Sequence, residues 1–367
     1  MPDAADDGFA AWLRLLEAPG LGREAVRRLL TALGTPEAVL DAGPAVWSDL
    51  AGPALAHALA RPPESFPERL RAARRWLDGG PGRRFIALGD PLYPPMLLQT
   101  ADPPLLLYVQ GRAELLHAAS VAVVGSRRAT AQGLDHARAF ARQLGQAGLV
   151  VVSGLAQGID AAAHEGALAA PAGTVAVVGT GLDIVYPRRH EALAARIGEQ
   201  GALVSEYTPG TPPMAANFPQ RNRIVTGLAQ GTLVVEAALR SGSLISARLA
   251  AEAGREVYAI PGSIHAEQSR GCHALIRQGA MLVESAQDII DDLRGTCSPP
   301  APPEPQPEHR PADPLLQALG ADPVSLDTLS ARTGWGAADL SARLLDLELD
   351  GVVQRLPGGL FQRRFGA

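Results

Sequence analysis

The middle of the chain carries six short apolar runs, rich in β-branched residues and without strict alternation: VAVV at 121–124, LVVVS at 149–153, TVAVV at 174–178, ALVS at 202–205, TLVV at 232–235 and VYAI at 257–260. Strands buried on both faces have this character. Each run ends at small residues, Gly or Ser, and most lead into a stretch of helical period. After Thr130, Leu134, Ala137, Ala141 and Leu144 keep one apolar face with Phe140 beside it. Strand, small-residue turn and helix, repeated, predict an α/β chain with a doubly wound, mostly parallel sheet. Its loops gather along one edge, at the strands' carboxyl ends, where ligands of such sheets bind.

The flanks follow other periods. Residues 9–78 read as helices, and Pro19-Gly20-Leu21-Gly22 is a tight turn between two of them. A Gly-x-Gly turn of this kind either grips a phosphate through its amides, as in helix-hairpin-helix modules, or simply packs two helices. Two apolar pieces, 85–88 and 105–109, flank a Pro-rich turn and fit strands at a sheet edge. Eight prolines between Pro299 and Pro314 predict an extended spacer. Beyond it, three helical segments and two strands around Pro357-Gly358-Gly359 follow the winged-helix plan, with the third helix in the groove-reading position. That helix carries Asp339, Asp346, Glu348 and Asp350 against Arg343, which disfavours duplex reading. The expected division is a helical unit (1–80), the α/β domain (81–295), a linker (296–312) and a winged helix (313–367).

Composition narrows the chemistry. All 33 basic residues are Arg and there is no Lys, which excludes a lysine Schiff base and a Walker A lysine. The net charge of −5 argues against a uniformly basic coat, yet Val121–Gln230 holds nine Arg against seven Asp and Glu. Cys272 and Cys297 have no metal-ligand spacing, and no cofactor or metal is expected. The acidic amino terminus is unlike a signal peptide, and no apolar run is long enough to span a bilayer; a cytoplasmic setting is the expectation.

The loop residues form the candidate site. Gly125, Ser126, Arg127 and Arg128, then Ser153 and Gly154, then Ser241, Gly242 and Ser243 each follow a strand and can offer amides at a helix start. FPQRNR, at the end of a long loop, supplies Phe218 as a ring and Arg221, Asn222 and Arg223 as planar polar groups. Phosphates and splayed bases of a single strand require such a mixture. The arginines could instead pair with Glu206, Glu236 or Asp160, and Phe218 could anchor its loop. A rival set, Asp160, His164, Asp183, Glu206 and Glu236, could serve acid–base chemistry in a nucleotide-cleaving enzyme of the phosphoribohydrolase type. The PGGxGTxxE loop of those enzymes is absent.

GSRRAT, SGLAQGIDAAAHEGAL, GTGLDIVYP, SEYTPG, FPQRNRI and VEAALRSGSLISARLAAEAGREVYAIPG, in this order, closely resemble the DNA-processing protein A family, DprA or Smf. The resemblance covers the whole Rossmann-like segment, about 85–293. The amino-terminal unit (SAM- or helix-hairpin-helix-like) and the carboxyl-terminal tail match accessory domains of that family. It implies a non-enzymatic, single-stranded DNA-binding protein that protects incoming DNA and loads the RecA recombinase onto it during natural transformation. It also implies a homodimer, for which Leu275, Ile276 and Met281 are candidate contacts; these three could equally be core. Duplex DNA is a weaker candidate partner.

Overall fold

The computed structural model describes residues 4–295, 313–320 and 322–364; the Pro-rich stretch 296–312 and Cys297 lie outside the described residues. Six helices open the chain: α1 Ala4–Leu16, α2 Arg23–Leu33, α3 Pro36–Asp41, α4 Gly43–Ala51, α5 Pro53–Ala60 and α6 Phe66–Asp78. Strand β1 Arg83–Ala87, the short α7 Pro95–Leu98 and β2 Leu106–Gly111 lead into the α/β region. There, β3 Ser120–Val124, α8 Ala131–Gln146, β4 Val150–Ser153, α9 Ile159–Leu168, β5 Thr174–Val178, α10 Glu191–Gln200 and β6 Ala202–Ser205 alternate. They continue as α11 Asn217–Leu228, β7 Gly231–Val234, α12 Ser243–Glu252, β8 Glu256–Ala259, α13 Arg270–Arg277, β9 Met281–Leu282 and α14 Ala286–Leu293.

The nine strands form one sheet in the order β1-β2-β6-β5-β4-β3-β7-β8-β9. From β6 to β9 every neighbouring pair is parallel, and β1 and β2 close the other edge in antiparallel pairing. All six predicted strands are therefore present, and the two pieces around the Pro-rich turn add strands at one end of the sheet, β1 as the edge and β2 between it and β6. The β3 to β6 strands are buried at every position, which is why their sequence does not alternate. The chain winds from β3 to β6 in one direction, then returns to the far side of β3 to add β7, β8 and β9. Winding reverses between β3 and β7, and the crevice outside their carboxyl ends is left open.

The helical unit shares a core with the sheet. Phe9 and Trp76 set their rings edge-on to Tyr108 of β2, and Leu13, Leu29 and Leu59 belong to the same buried cluster as Leu106, Val178 and Leu203. Ion pairs ring this contact. Arg23 reaches Asp102 at 2.7 Å, and Arg27 donates to the other carboxylate oxygen at 2.8 Å. The Pro19–Gly22 turn thus aims the start of α2 at the α/β region. On the other side Arg69 of α6 pairs with Glu17 at 2.7 Å, and the Thr208 hydroxyl donates to Glu17 at 3.1 Å.

The carboxyl-terminal unit has the winged-helix plan: α15 Pro314–Leu319, β10 Val324–Ser325, α16 Leu326–Thr333, α17 Ala337–Leu349, β11 Val353–Leu356 and β12 Leu360–Arg363. Its core is Leu315, Leu319, Leu329, Leu340, Leu344 and Phe361. β12 pairs with both β10 and β11, so the predicted two-stranded wing is the larger part of a three-stranded sheet.

Asp102 makes the helical unit's attachment acid-sensitive. Burial alone would raise its pKa, but Arg23, Arg223 and Arg27 outweigh that and hold it below the usual carboxylate range. A depressed folded-state pKa stabilises the fold above the unfolded value, and that contribution is lost as pH falls through the folded value. Asp102→Asn is expected to cost about 1 kcal/mol, modest because the group is part-exposed. It should also flatten the acid limb of the melting temperature against pH. Thermal melts of both proteins between neutral and acidic pH check this.

Candidate nucleic-acid interface

Three segments meet at the reversal point. The first joins β3 to α8. A side chain at Gly125 would meet Ile159 Cγ1 at 2.6 Å and the Glu236 carbonyl at 3.0 Å, so only glycine passes here. The Ser126 N–H donates to that carbonyl at 2.8 Å, and its hydroxyl accepts from the Arg128 N–H at 3.0 Å. The turn held this way leaves the Arg127 and Arg128 side chains exposed.

The amino terminus of α8 is not the anion site its sequence suggests. The Glu236 carboxylate, from the end of β7, accepts from the Thr130 N–H at 2.9 Å and from the Thr130 hydroxyl. Gly133 makes room for it, since a Cβ there would lie 2.4 Å from the carboxyl carbon. An internal carboxylate thus takes up the helix dipole. Burial pushes the Glu236 carboxyl up, against the two bonds from Thr130.

The second contribution is α11. FPQRNR, expected at the end of a loop, forms the first half of this helix. Pro219 falls in its first turn, where a missing N–H has no intrahelical partner to lose. The Asn217 side chain donates to the Gly179 carbonyl at 3.0 Å and pins the helix start to the loop after β5. Arg221 turns inward and is only 4 % exposed. Its guanidinium lies directly over Gly154, whose Cβ, if present, would sit 1.3 Å from Nη1. Asp160 Oδ2 is 4.0 Å from the same nitrogen and accepts from the Ala156 N–H at 3.3 Å. Burial lowers the Arg221 pKa and raises that of Asp160, each opposed by the charge of the other.

The third segment is the loop before α12. Ser241 and Ser243 hydroxyls lie 2.6 Å apart, and the Ser243 N–H donates to Ser241 at 3.3 Å, with Gly242 between them exposed. Between these loops is an open cleft of about 870 Å³. Phe218 stands at its wall between the Tyr186 ring, 5.4 Å away and tilted by 37°, and the Arg127 guanidinium, 5.7 Å from the ring centre. Tyr186 is 48 % exposed, so one side of this stack is open to a planar ligand.

Gly125, Ser126, Arg127, Arg128, Phe218, Arg221, Asn222, Ser241, Gly242 and Ser243 all line this cleft. Three expected residues do not. The Ser153 hydroxyl donates to the Val123 carbonyl at 2.7 Å inside the sheet, and Gly154 lies beneath Arg221. Arg223 points away and is bound to Glu206 at 2.6 Å and to the Asp102 carbonyl at 2.7 Å. Tyr186 and Arg240 line the cleft and were missed. Arg240 directly precedes Ser241, so its place beside the serine turn was readable. Tyr186, at the end of GTGLDIVYP, gave no signal of its own.

The rival acid–base set is dispersed. His164 is fully buried; its Nε2 accepts from the Leu155 N–H at 3.3 Å and Nδ1 is 2.8 Å from the Thr174 hydroxyl, which itself donates to the Val151 carbonyl. Burial, with Arg221 and His190 nearby, lowers its pKa to about 3 and keeps the ring neutral. Asp183 accepts from the Gly210 N–H at 2.8 Å, and Glu206 holds Arg223. Leu275 and Ile276 are half-buried on α13 and pack against the core, whereas Met281 and Leu282 are 39 % and 45 % exposed on the edge strand β9.

Residues 84–294 match the family described as DNA recombination-mediator protein A, and residues 299–359 match the DprA winged helix domain. The chain belongs to the DprA/Smf family. It is 43 % identical over 310 residues to Protein Smf of Escherichia coli, covering 82 % of this chain and 83 % of that one. DNA processing protein DprA of Streptococcus pneumoniae is 48 % identical over 204 residues, 56 % of this chain and 72 % of its own. Its X-ray structure superposes with a TM-score of 0.66, covering 80 % of this chain and 99 % of that one at 36 % identity. A Helicobacter pylori DNA processing protein A, whose structure concerns its single-stranded DNA binding mode, gives a TM-score of 0.52 at 32 % identity over 58 % of this chain and 96 % of that one. Among the described residues, no helix is long and apolar enough to cross a membrane, and no cluster of His, Cys, Asp or Glu fits a metal ion.

Arg221 and Gly154 should behave as one structural unit. Gly154→Ala and Arg221→Ala are each expected to lower stability by about 3–5 kcal/mol, because each disrupts a buried charge pair. Arg127→Ala should leave stability within about 0.5 kcal/mol, as surface substitutions do. Urea unfolding of the three variants beside wild type checks the contrast.

Proposed function

We propose that the chain binds single-stranded DNA in the switch-point cleft, without base preference and without turning over a substrate, and presents that strand to RecA. The observation that carries this is the Tyr186–Phe218–Arg127 stack beside an arginine- and serine-lined groove. Aromatic faces accept any base, and Arg127, Arg128 and Arg240 supply cations for successive phosphates. Because Glu236 fills the α8 terminus, phosphate contacts fall to these side chains and to the Ser241–Ser243 turn at the start of α12. Family membership and the single-stranded DNA binding mode of the H. pylori relative support the same reading.

A nucleotide-cleaving role draws little support from the geometry. The neutral His164 ring has both nitrogens engaged away from the cleft, and Asp160 is engaged by Arg221. Transfer of the strand to RecA during transformation, and action as a homodimer, come from the family resemblance. For the dimer, the exposed Met281–Leu282 edge is the better candidate than Leu275 and Ile276, which face core.

Labelled oligo-dT binding tests the cleft. Phe218→Ala and Tyr186→Ala are each expected to weaken binding by about 1–3 kcal/mol, the range for a lost stacking platform, with the salt dependence unchanged. Arg127→Ala should weaken binding and flatten the log–log salt slope by about 0.7. Arg127→Lys should restore the slope while recovering affinity only in part, because lysine keeps the charge and lacks the planar fork. Unchanged affinity in all of these variants would place the strand elsewhere.

A further inference from the structure

The loops around the cleft are neighbours because their strands are. β7, β3, β4 and β5 lie side by side and parallel, so their carboxyl ends form a row. Three strand spacings separate β7 from β5, about 14 Å in all. Along this row Arg240 follows β7, Arg127 and Arg128 follow β3, and Arg188 and Arg189 follow β5. The cleft engages the first three, and Tyr186, two residues before Arg188, stands at its wall.

Arg188 and Arg189 are both exposed, in a one-turn 3-10 helix, Arg188–His190. That turn is tied to the framework of the cleft. Arg189 donates to Gln157 Oε1, in the loop after β4, and His190 Nδ1 donates to the Leu155 carbonyl of the same loop at 2.9 Å. This loop in turn packs on the segment that carries Arg127. The Ile159 N–H donates to the Ser126 carbonyl at 3.2 Å, and a Cβ at Gly158 would lie 2.2 Å from that oxygen. Gln157 is neutral, so its bond orients the Arg189 guanidinium without cancelling the charge. Arg188 has no carboxylate partner among the described residues.

Charge also separates the two ends of the row. Residues 184–190 carry two arginines and no acid, and Asp183 before them accepts from the Gly210 N–H at 2.8 Å. At the opposite end, the loop after β8 holds no arginine between Ile260 and Ser269, and its Glu267 lines the cleft. A phosphate chain that fills the cleft is repelled on the β8 side and attracted on the β5 side.

We propose that the Tyr186–Arg189 turn is a second phosphate-binding station for the same strand. Nucleotides beyond the ring stack pass over Tyr186 and set their phosphates on Arg188 and Arg189. The inference rests on the cleft binding single strands, and it adds a direction across the sheet edge and a length dependence that the cleft alone does not have.

The test uses full-length protein with an oligo-dT of about six nucleotides, enough for the cleft, and one of about twelve that reaches the turn. For wild type the longer one should show a salt slope steeper by roughly 1.4, two further phosphates. Arg188→Ala with Arg189→Ala is expected to weaken the longer oligonucleotide about tenfold and to abolish that extra slope, with the shorter one unaffected. Arg188→Glu alone leaves the Arg189–Gln157 tie in place and should give the same selective loss, which decides the matter even if the double variant fails to fold. Arg270→Ala, just past the β8 loop, should change neither length. Wild-type affinity and slope for the longer oligonucleotide in both the double-alanine and the Arg188→Glu proteins would overturn the station, as would an equal loss at both lengths. A selective loss in Arg270→Ala would overturn the direction on which it depends. A short oligonucleotide that ignores Arg127→Ala would instead show that the cleft reading has failed, and this inference with it.

Discussion

The cleft depends on a guanidinium buried where a side chain would ordinarily be. Arg221 enters the sheet's carboxyl edge from α11, lies on the bare Cα of Gly154 and faces Asp160 from the start of α9. Placing a cation there is costly unless its counter-charge and hydrogen bonds are fixed, and the removal of one partner leaves the other charge stranded. The pair therefore locks α9, α11 and the loop after β4 into one relative position. That position sets where Phe218 and Asn222, on the outer side of α11, stand relative to Arg127. Arg221 lines the cleft floor and adds positive potential to it, but its principal consequence is geometric.

A second constraint redistributes the electrostatics. In many doubly wound sheets the first helix terminus after the first strand receives the ligand's phosphate. Here Glu236 occupies that terminus, held by Thr130 and admitted by Gly133. The carboxylate closes the site to a single tightly held anion at the sheet's centre. What remains is a row of exposed arginines, a serine turn at the start of α12 and a ring stack. Such a surface suits a chain of evenly spaced phosphates better than one compact nucleotide.

Much of the fold was legible because buried parallel strands leave an unmistakable run of β-branched residues, and all six such runs became strands of the sheet. The winged helix was equally readable from its helix periods and the Pro357–Gly359 turn. The site was only partly legible, for a specific reason. FPQRNR follows a Pro-rich stretch and reads as loop, which puts Arg221 and Arg223 together as ligand groups. On a helix, residues two apart diverge by roughly 200°, so the two arginines must face opposite ways. One entered the sheet edge and the other joined Glu206 and Asp102 beneath the helical unit. Ser153 and Gly154 failed for a related reason: the cover over them comes from a helix nearly seventy residues further on. Tyr186 is an ordinary aromatic in sequence, and only the packing of its loop against α11 makes it half of a stack.

The central claim is that this cleft holds a single strand by several phosphates at once and does no chemistry on it. The most direct measurement is one titration of labelled oligo-dT at several salt concentrations, with unlabelled duplex and mononucleotide as competitors and the mononucleotide recovered for product analysis. The account predicts a log–log slope of about −2 or steeper, equivalent to three or more phosphates, with weak competition by either competitor and an intact mononucleotide. A slope near zero, or a mononucleotide that competes strongly and is cleaved with multiple turnover, would contradict it.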